Sequence, residues 1–286
     1  MPPKTIAVIN MKGGVGKTTL AWNLALHLFS SHKQKVLLID LDPQANATLL
    51  GLSEEEFENH RKTKKTVADL FINCYKKYGP FPKLGENSVE NYDDFIFQCE
   101  KSVDGTAYCD IIPSELELSW VLKNAYIDPF LLEKTLSSKY FDKYGYILID
   151  CAPTNSILTT LSLNAAKRIL VPVMADVFAV YGVKLTQDVI EQHKDDYDVD
   201  TKVIGLVFVR YEKDKANQRE YKSKVVSAWG RATFTASIRD NDFYKISNGK
   251  RTDISRSAAH QEVKDEFEEF TTEFIEKTEQ TIKGNL

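Results

Sequence analysis

The sequence predicts an α/β fold: a mostly parallel, twisted sheet with helices on both faces. Three observations carry the prediction. Short, almost continuously apolar runs recur along the chain, amphipathic stretches alternate with them, and several of the runs end in acidic or glycine-rich turns. A strand that is apolar on both sides must be covered on both faces. Strand and helix signals that alternate pair the strands in parallel through helical crossovers.

Taken in order, the strand signals are Lys4–Asn10, Lys35–Asp40, Tyr108–Ile112, Tyr146–Asp150, Arg168–Val173 and Val203–Val209. Amphipathic helices are expected at Thr18–Phe29, Thr159–Ala166, Val183–Gln192 and Tyr221–Trp229. The stretch Ser53–Ser102 breaks the rhythm. It has acidic Glu54–Glu58, a basic group at Arg61, Lys62, Lys64 and Lys65, and a turn-rich piece around Gly79–Gly85. It reads as an elaboration between the second and third strands within a single domain spanning residues 1–286. A C-terminal helix is expected over about residues 257–283. In it Val263, Phe267, Phe270, Phe274 and Ile282 fall near a/d spacing, a stripe that usually packs onto its own domain and more rarely onto a dimer or partner.

Composition narrows the class. Of 286 residues 43% are hydrophobic and 27% charged, which excludes wholesale disorder. No run of 18 apolar residues occurs, so no membrane span is expected. Cys74, Cys99, Cys109 and Cys151 lie far apart without a C-x-x-C pair. Neither a disulfide framework nor a zinc site is expected from them, and reduced thiols of a cytoplasmic protein are the plain reading.

The strongest motif is Met11-Lys12-Gly13-Gly14-Val15-Gly16-Lys17-Thr18-Thr19, between the first strand and the first helix. A glycine-rich turn lets successive backbone N–H groups face one hollow. The helix N-terminus behind it adds positive potential, so the hollow suits a phosphate chain. Lys17 would reach the terminal phosphates and the Thr18 hydroxyl would bind magnesium. The general pattern has glycine at position 11; here Met11 stands there, followed by an additional lysine, Lys12.

Two acidic strand ends complete the pattern. In Val36–Gln44, residues two apart on an extended chain face the same side, so Asp40 and Asp42 project together from the C-terminal end of a strand. Open α/β sheets bind ligands at that end. One carboxylate could hold a magnesium-bound water and the other orient the water that attacks a γ-phosphate. Tyr146–Pro153 is a strand ending in Asp150, placed to bind magnesium through water. Cys151 beside it reads as a small buried residue, since a nucleophilic thiol needs an adjacent base and no partner histidine is apparent.

Lys-Gly-Gly-Val-Gly-Lys-Thr-Thr resembles the deviant Walker A box of the ParA/MinD family of ATPases, which have a P-loop NTPase fold. The segment Asp42–Thr48 resembles the ParA/Soj version, in which glycine usually stands where Ala45 is. The resemblance extends from Lys4 to about Arg256, apart from the elaboration, and is diffuse after Tyr181. It implies ATP and Mg2+ as ligands and a homodimer closed by ATP. In that dimer Lys12 would reach the partner's phosphates, comparable to an arginine finger supplied in trans. It makes Asp42 the water-positioning residue and Asp40 the magnesium-side residue. It places the segment from Val171 to Val183 near the dimer interface, and Arg210, Ile238 and Asp240 near the adenine. Relatives often have Ile-Pro-Arg-Asn there, whereas this chain has Ile238-Arg239-Asp240-Asn241.

The formal net charge of −4 conceals segregation. Residues 202–256 carry 13 Lys+Arg against 6 Asp+Glu, and residues 257–286 carry 3 against 8. A basic segment binds phosphates without sequence preference. With the resemblance, it points to non-specific DNA binding through Lys213, Lys215, Arg219, Lys222, Lys224, Lys245, Lys250 and Arg251. The sheet begins at Lys4 with no preceding helix-turn-helix, so operator-specific binding is not expected. The function implied is a slow ATPase, stimulated by DNA and a ParB-like or other cargo adaptor, that segregates a plasmid, chromosome origin or protein cargo while nucleoid-associated. Two alternatives remain. A MinD-like membrane ATPase would need a basic amphipathic tail where this one is acidic. A metabolic or metal-centre P-loop enzyme would need its own ligands, and Cys99 and Cys109 do not resemble a cluster pattern.

Overall fold

The apolar runs become the strands of one sheet: β1 (Lys4–Val8), β2 (Lys35–Leu41), β4 (Tyr108–Ile112), β5 (Tyr146–Cys151), β6 (Arg168–Val173) and β7 (Lys202–Val209). Two further strands, β3 (Phe97–Lys101) and β8 (Thr233–Ile238), complete the order β3-β4-β2-β5-β1-β6-β7-β8. All neighbours pair in parallel except β3, which runs antiparallel to β4. The structure, a computed structural model, describes residues 2–63, 65–71, 91–123, 127–230, 232–245, 251, 254, 257 and 260–283.

The helices are α1 (Lys17–Ser30), α2 (Asn46–Gly51), α3 (Glu54–Thr63), α4 (Leu131–Leu136), α5 (Ile157–Ala166), α6 (Ala179–Tyr197), α7 (Ala216–Trp229) and α8 (Gln261–Ile282), with a 3-10 segment at Leu116–Lys123. Alternation along the strands divides the core into two layers. On β1, Ile6 and Val8 join a cluster with Leu24 and Leu28 of α1 and Phe267, Phe270 and Phe274 of α8. Ala7, and Ile9 just beyond the strand, join Leu161 of α5, Val183 and Ile190 of α6, and Trp229 of α7 on the other face. The fold is thus an α/β P-loop NTPase fold with a mostly parallel sheet covered on both faces.

Three expectations are refined. The Ser53–Ser102 stretch is not wholly an insertion, because it begins with α3 and ends in β3, an edge strand of the main sheet. Its turn-rich piece lies outside the described residues. The aromatic stripe of α8 buries Val263, Phe267, Phe270 and Phe274 as read, but Ile282 is 44% exposed at the end of the helix. Cys99, Cys109 and Cys151 are free and buried, and Cys74 lies outside the described residues. Among the described residues, no helix is long and apolar enough to cross a membrane.

Candidate nucleotide site

The loop between β1 and α1 is pinned at its start by residues that motif reading did not single out. Asn10 is buried; its amide donates to Pro172 O on β6 (2.8 Å) and its oxygen accepts from Lys12 N (2.8 Å). Met11 N donates to Thr186 Oγ1 of α6 at 3.1 Å. Gly182 lets α6 approach this closely, since a Cβ there would sit 3.1 Å from Lys12 Cβ. Gly14 (φ +74°) and Gly16 (φ +84°) turn the loop through left-handed conformations that favour glycine. Val15 is buried between them and anchors the turn. No side chain caps the N-terminus of α1 at Gly16. The exposed Gly13 and Gly14 have open space where a Cβ would lie, so the cradle can admit a phosphate chain.

Lys17, Thr18 and Thr19 open α1 and line a cleft of about 1010 Å³ together with Gly14, Gly16 and Asp42. The Lys17 ammonium is buried and lies 3.4 Å from Lys12 O. Burial lowers its pKa, against the opposing charge of Asp150. Asp150 sits opposite Asp40 in the β2–β5 register. It is fully buried, and apart from the nearby Thr18 hydroxyl neither of its carboxylate oxygens has a hydrogen-bond partner among the described residues. Burial first, and the Asp40 charge second, raise its pKa well above the ordinary carboxylate value, while the nearby Thr18 hydroxyl and Lys17 oppose the shift. A buried carboxylate beside a threonine hydroxyl offers oxygen donors that fit a hard divalent cation such as Mg2+.

Asp40 and Asp42 do not act as the matched pair that their spacing suggests. Asp42 lines the cleft, half-turned by its acceptance of Gln44 N at 2.9 Å. Asp40 is fully buried, with both oxygens engaged. One accepts from Thr48 N and Thr48 Oγ1, each at 2.8 Å, and the other from Asp42 N at 3.2 Å. Burial still raises its pKa, while these hydrogen bonds pull it down. Asp40 thus ties the start of α2 to β2, whereas Asp150 has no comparable backbone tie. Ala45, where relatives usually carry glycine, holds the intervening turn at φ +53°.

Residues far apart in sequence close the other side of the cleft. Arg210, Ile238 and Asp240 all line it. Arg210 Nε and Nη2 lie 3.3 Å from the two oxygens of Asp240. Arg239 also lines the cleft and pairs with Glu266 (2.7 Å) and Glu262 (3.0 Å) of α8. Lys12 is not part of the cleft wall. Its ammonium pairs with Asp176 and lies 5.9 Å from the Phe178 ring centroid. Val177, Phe178 and Tyr181, which follow Asp176 in the chain, are exposed.

The basic residues divide. Lys213, Lys215, Arg219 and Lys224 are exposed on α7 and the loop before it, Lys215 pairing with Glu212 and Lys224 with Glu220. Lys222 lies over the rings of Phe208 and Tyr211, at 5.0 and 4.6 Å. Arg251 is corrected: it is a clamp, donating to Gly51 O (2.8 Å) and Cys99 O (3.1 Å) and pairing with Glu56 (2.6 Å). Its guanidinium is thereby committed within the fold and not offered to DNA. Lys250 and the Lys245 side chain lie outside what the structure describes.

A phosphate loop between a parallel strand and helix, an acid on the neighbouring strand end and a second lysine at the loop's start define a P-loop nucleotide-binding protein of the deviant kind. The family model described as "AAA domain" matches residues 3–203. The chain belongs to that family and is a ParA/Soj-like P-loop ATPase of the partition type. It is 29% identical over 240 residues to the chromosome-partitioning ATPase Soj of Treponema pallidum, covering 83% of each chain. A plasmid partition protein from Borrelia burgdorferi is similar in fold, with a TM-score of 0.67 and 24% identity over 97% of this chain and 100% of that one. A McdA variant from Cyanothece in complex with ATP has a TM-score of 0.73 at 20% identity, over 96% of both chains. Structures of this fold have been solved with ATP, and with ADP and magnesium.

Proposed function

We propose that this ATPase dimerises on ATP, binds DNA non-specifically as the ATP dimer, and positions a plasmid, chromosome origin or protein cargo through partner-stimulated hydrolysis. The observation that carries the reading is the division of labour between the two loop lysines. Lys17 faces the cleft of its own chain. Lys12 emerges beside the exposed apolar residues Val177, Phe178 and Tyr181. That is a suitable position for a lysine that serves a facing protomer.

In this reading the loop amides and Lys17 hold the phosphate chain, and Asp42 orients the water. The water oxygen bonds to the γ-phosphorus as the bond to the β–γ bridging oxygen breaks, leaving ADP and phosphate. Lys12 of the facing subunit stabilises charge on the transferring group. Magnesium held near Thr18 and Asp150 would supply charge neutralisation at the β- and γ-phosphates. DNA would lie against Lys213, Lys215, Arg219 and Lys224. A membrane-cycling role is disfavoured by α8, whose apolar stripe is consumed by the core. The test is sedimentation and DNA retention with and without ATP and magnesium. A dimer that retains DNA only with nucleotide is expected; equal retention by the nucleotide-free protein would remove the switch.

A further inference from the structure

We propose that His27, His32 and Glu268 form a binding site for a zinc-class transition metal that ties the end of α1 to α8. Among the described residues, these form the His/Cys/Asp/Glu group whose candidate ligand atoms all lie within 4.8 Å of one another. His27, in the last turn of α1, is fully buried and places Nε2 2.7 Å from Glu268 Oε2. His32, just past the helix, places Nε2 3.2 Å from Glu268 Oε1. That nitrogen is buried yet makes no aligned hydrogen bond among the described residues. Two imidazole nitrogens thus converge on the two oxygens of one carboxylate.

Ligands about 2.0–2.2 Å from a tetrahedral centre lie about 3.4 Å apart, so the observed separations need only small adjustment to admit a metal. An N,N,O set suits zinc, cobalt or nickel, whereas magnesium and calcium prefer all-oxygen sites. The surroundings support the rings as metal sites require. Ser31 Oγ lies 3.4 Å from His27 Nδ1, the nitrogen remote from the carboxylate. Phe267 packs edge-on against the His27 ring, with centroids 5.2 Å apart at 90°. The Glu268 side chain is 47% exposed, which leaves a side open for water as a fourth ligand. The site is separate from the nucleotide loop: α1 begins at Lys17 and His27 is in its last turn, about 15 Å along the axis.

The test uses untagged, chelator-treated, nucleotide-free protein, titrated with Zn2+ alone by calorimetry and with Co2+ by visible absorption. One equivalent should bind, Co2+ should give ligand-field bands, and Zn2+ at a hundredfold excess over its Kd should raise Tm by about 5 °C. His32→Ala and Glu268→Gln, both at partly exposed positions, should each weaken Zn2+ binding by at least ~100-fold, since even supporting residues are worth 10–100-fold. Both should leave metal-free Tm and ATP affinity unchanged. Absence of stoichiometric binding by the unmutated protein would reduce the cluster to a hydrogen-bonded ion pair. Binding that survives the double substitution would place the metal elsewhere. Either result overturns the proposal.

Discussion

Replacing Asp150 by Asn is expected to stabilise the nucleotide-free protein while removing its turnover. The carboxyl is fully buried, its oxygens have no partner among the described residues beyond the nearby Thr18 hydroxyl, and its pKa is raised by burial and by Asp40. The folded state therefore holds this proton more tightly than the unfolded state. Stability falls as pH rises from about 4 toward the folded-state pKa. Across that window the buried carboxyl increasingly disfavours the folded state. The amide brings its own buried, unpaired groups, at about 1–3 kcal/mol. Near pH 7–8 the net gain is expected to be of the order of an ordinary point substitution, about 1 kcal/mol, or a few degrees in Tm. At pH 4 it vanishes or reverses, because the carboxyl is then largely protonated in the folded state. Urea unfolding of both proteins from pH 4 to 8, without nucleotide or divalent cation, measures this difference. Phosphate release with ATP and magnesium should fall at least ~100-fold in the same variant. A stability difference independent of pH would refute the reasoning, because it would mean that the Asp150 charge is well solvated or paired.

Lys12→Ala should lower turnover by at least ~100-fold while leaving equilibrium ATP binding to the monomer nearly intact; a nucleotide-binding titration beside a phosphate-release assay separates the two, and unchanged turnover removes the role in trans. Combined Lys213→Glu, Lys215→Glu and Arg219→Glu should weaken DNA retention and flatten its dependence on log salt by about 0.9 for each phosphate no longer neutralised. Arg251→Ala should instead destabilise the fold by about 2–3 kcal/mol, since it strands Glu56 and the carbonyls of Gly51 and Cys99. The folded fraction of that variant should retain DNA like the parent. Ala45→Gly should stabilise by about 0.5 kcal/mol in thermal unfolding, because relief of a left-handed alanine exceeds the entropy added to the unfolded chain.

The buried strands and the phosphate loop were legible because their physics is local. A run such as Val36–Ile39 has no solvent face to interrupt it, and consecutive glycines before Lys17 serve few other purposes. The edge strands were not. Phe97–Lys101 and Thr233–Ile238 each have one sheet neighbour and several polar residues that face water, so neither shows the continuous apolar run of the inner strands. In the site, spacing correctly brought Asp42 to the cleft, but it could not show that Thr48, eight residues on, would occupy Asp40. Charge counting likewise could not distinguish Arg251, buried against carbonyls some 150 and 200 residues away, from a lysine in water. Asn10 could have been found as the one polar group ending an otherwise apolar strand.

The place of β5 ties the site to the middle of the sheet. β5 pairs with β1 on one side and β2 on the other, and those two strands have no direct pairing with each other. The phosphate loop follows β1, Asp42 follows β2 and Asp150 ends β5. A nascent chain that stops before Tyr146 can therefore hold the loop sequence and still lack the strand that sets loop and acids side by side. Displacing β5 alone would therefore part the loop from both acids.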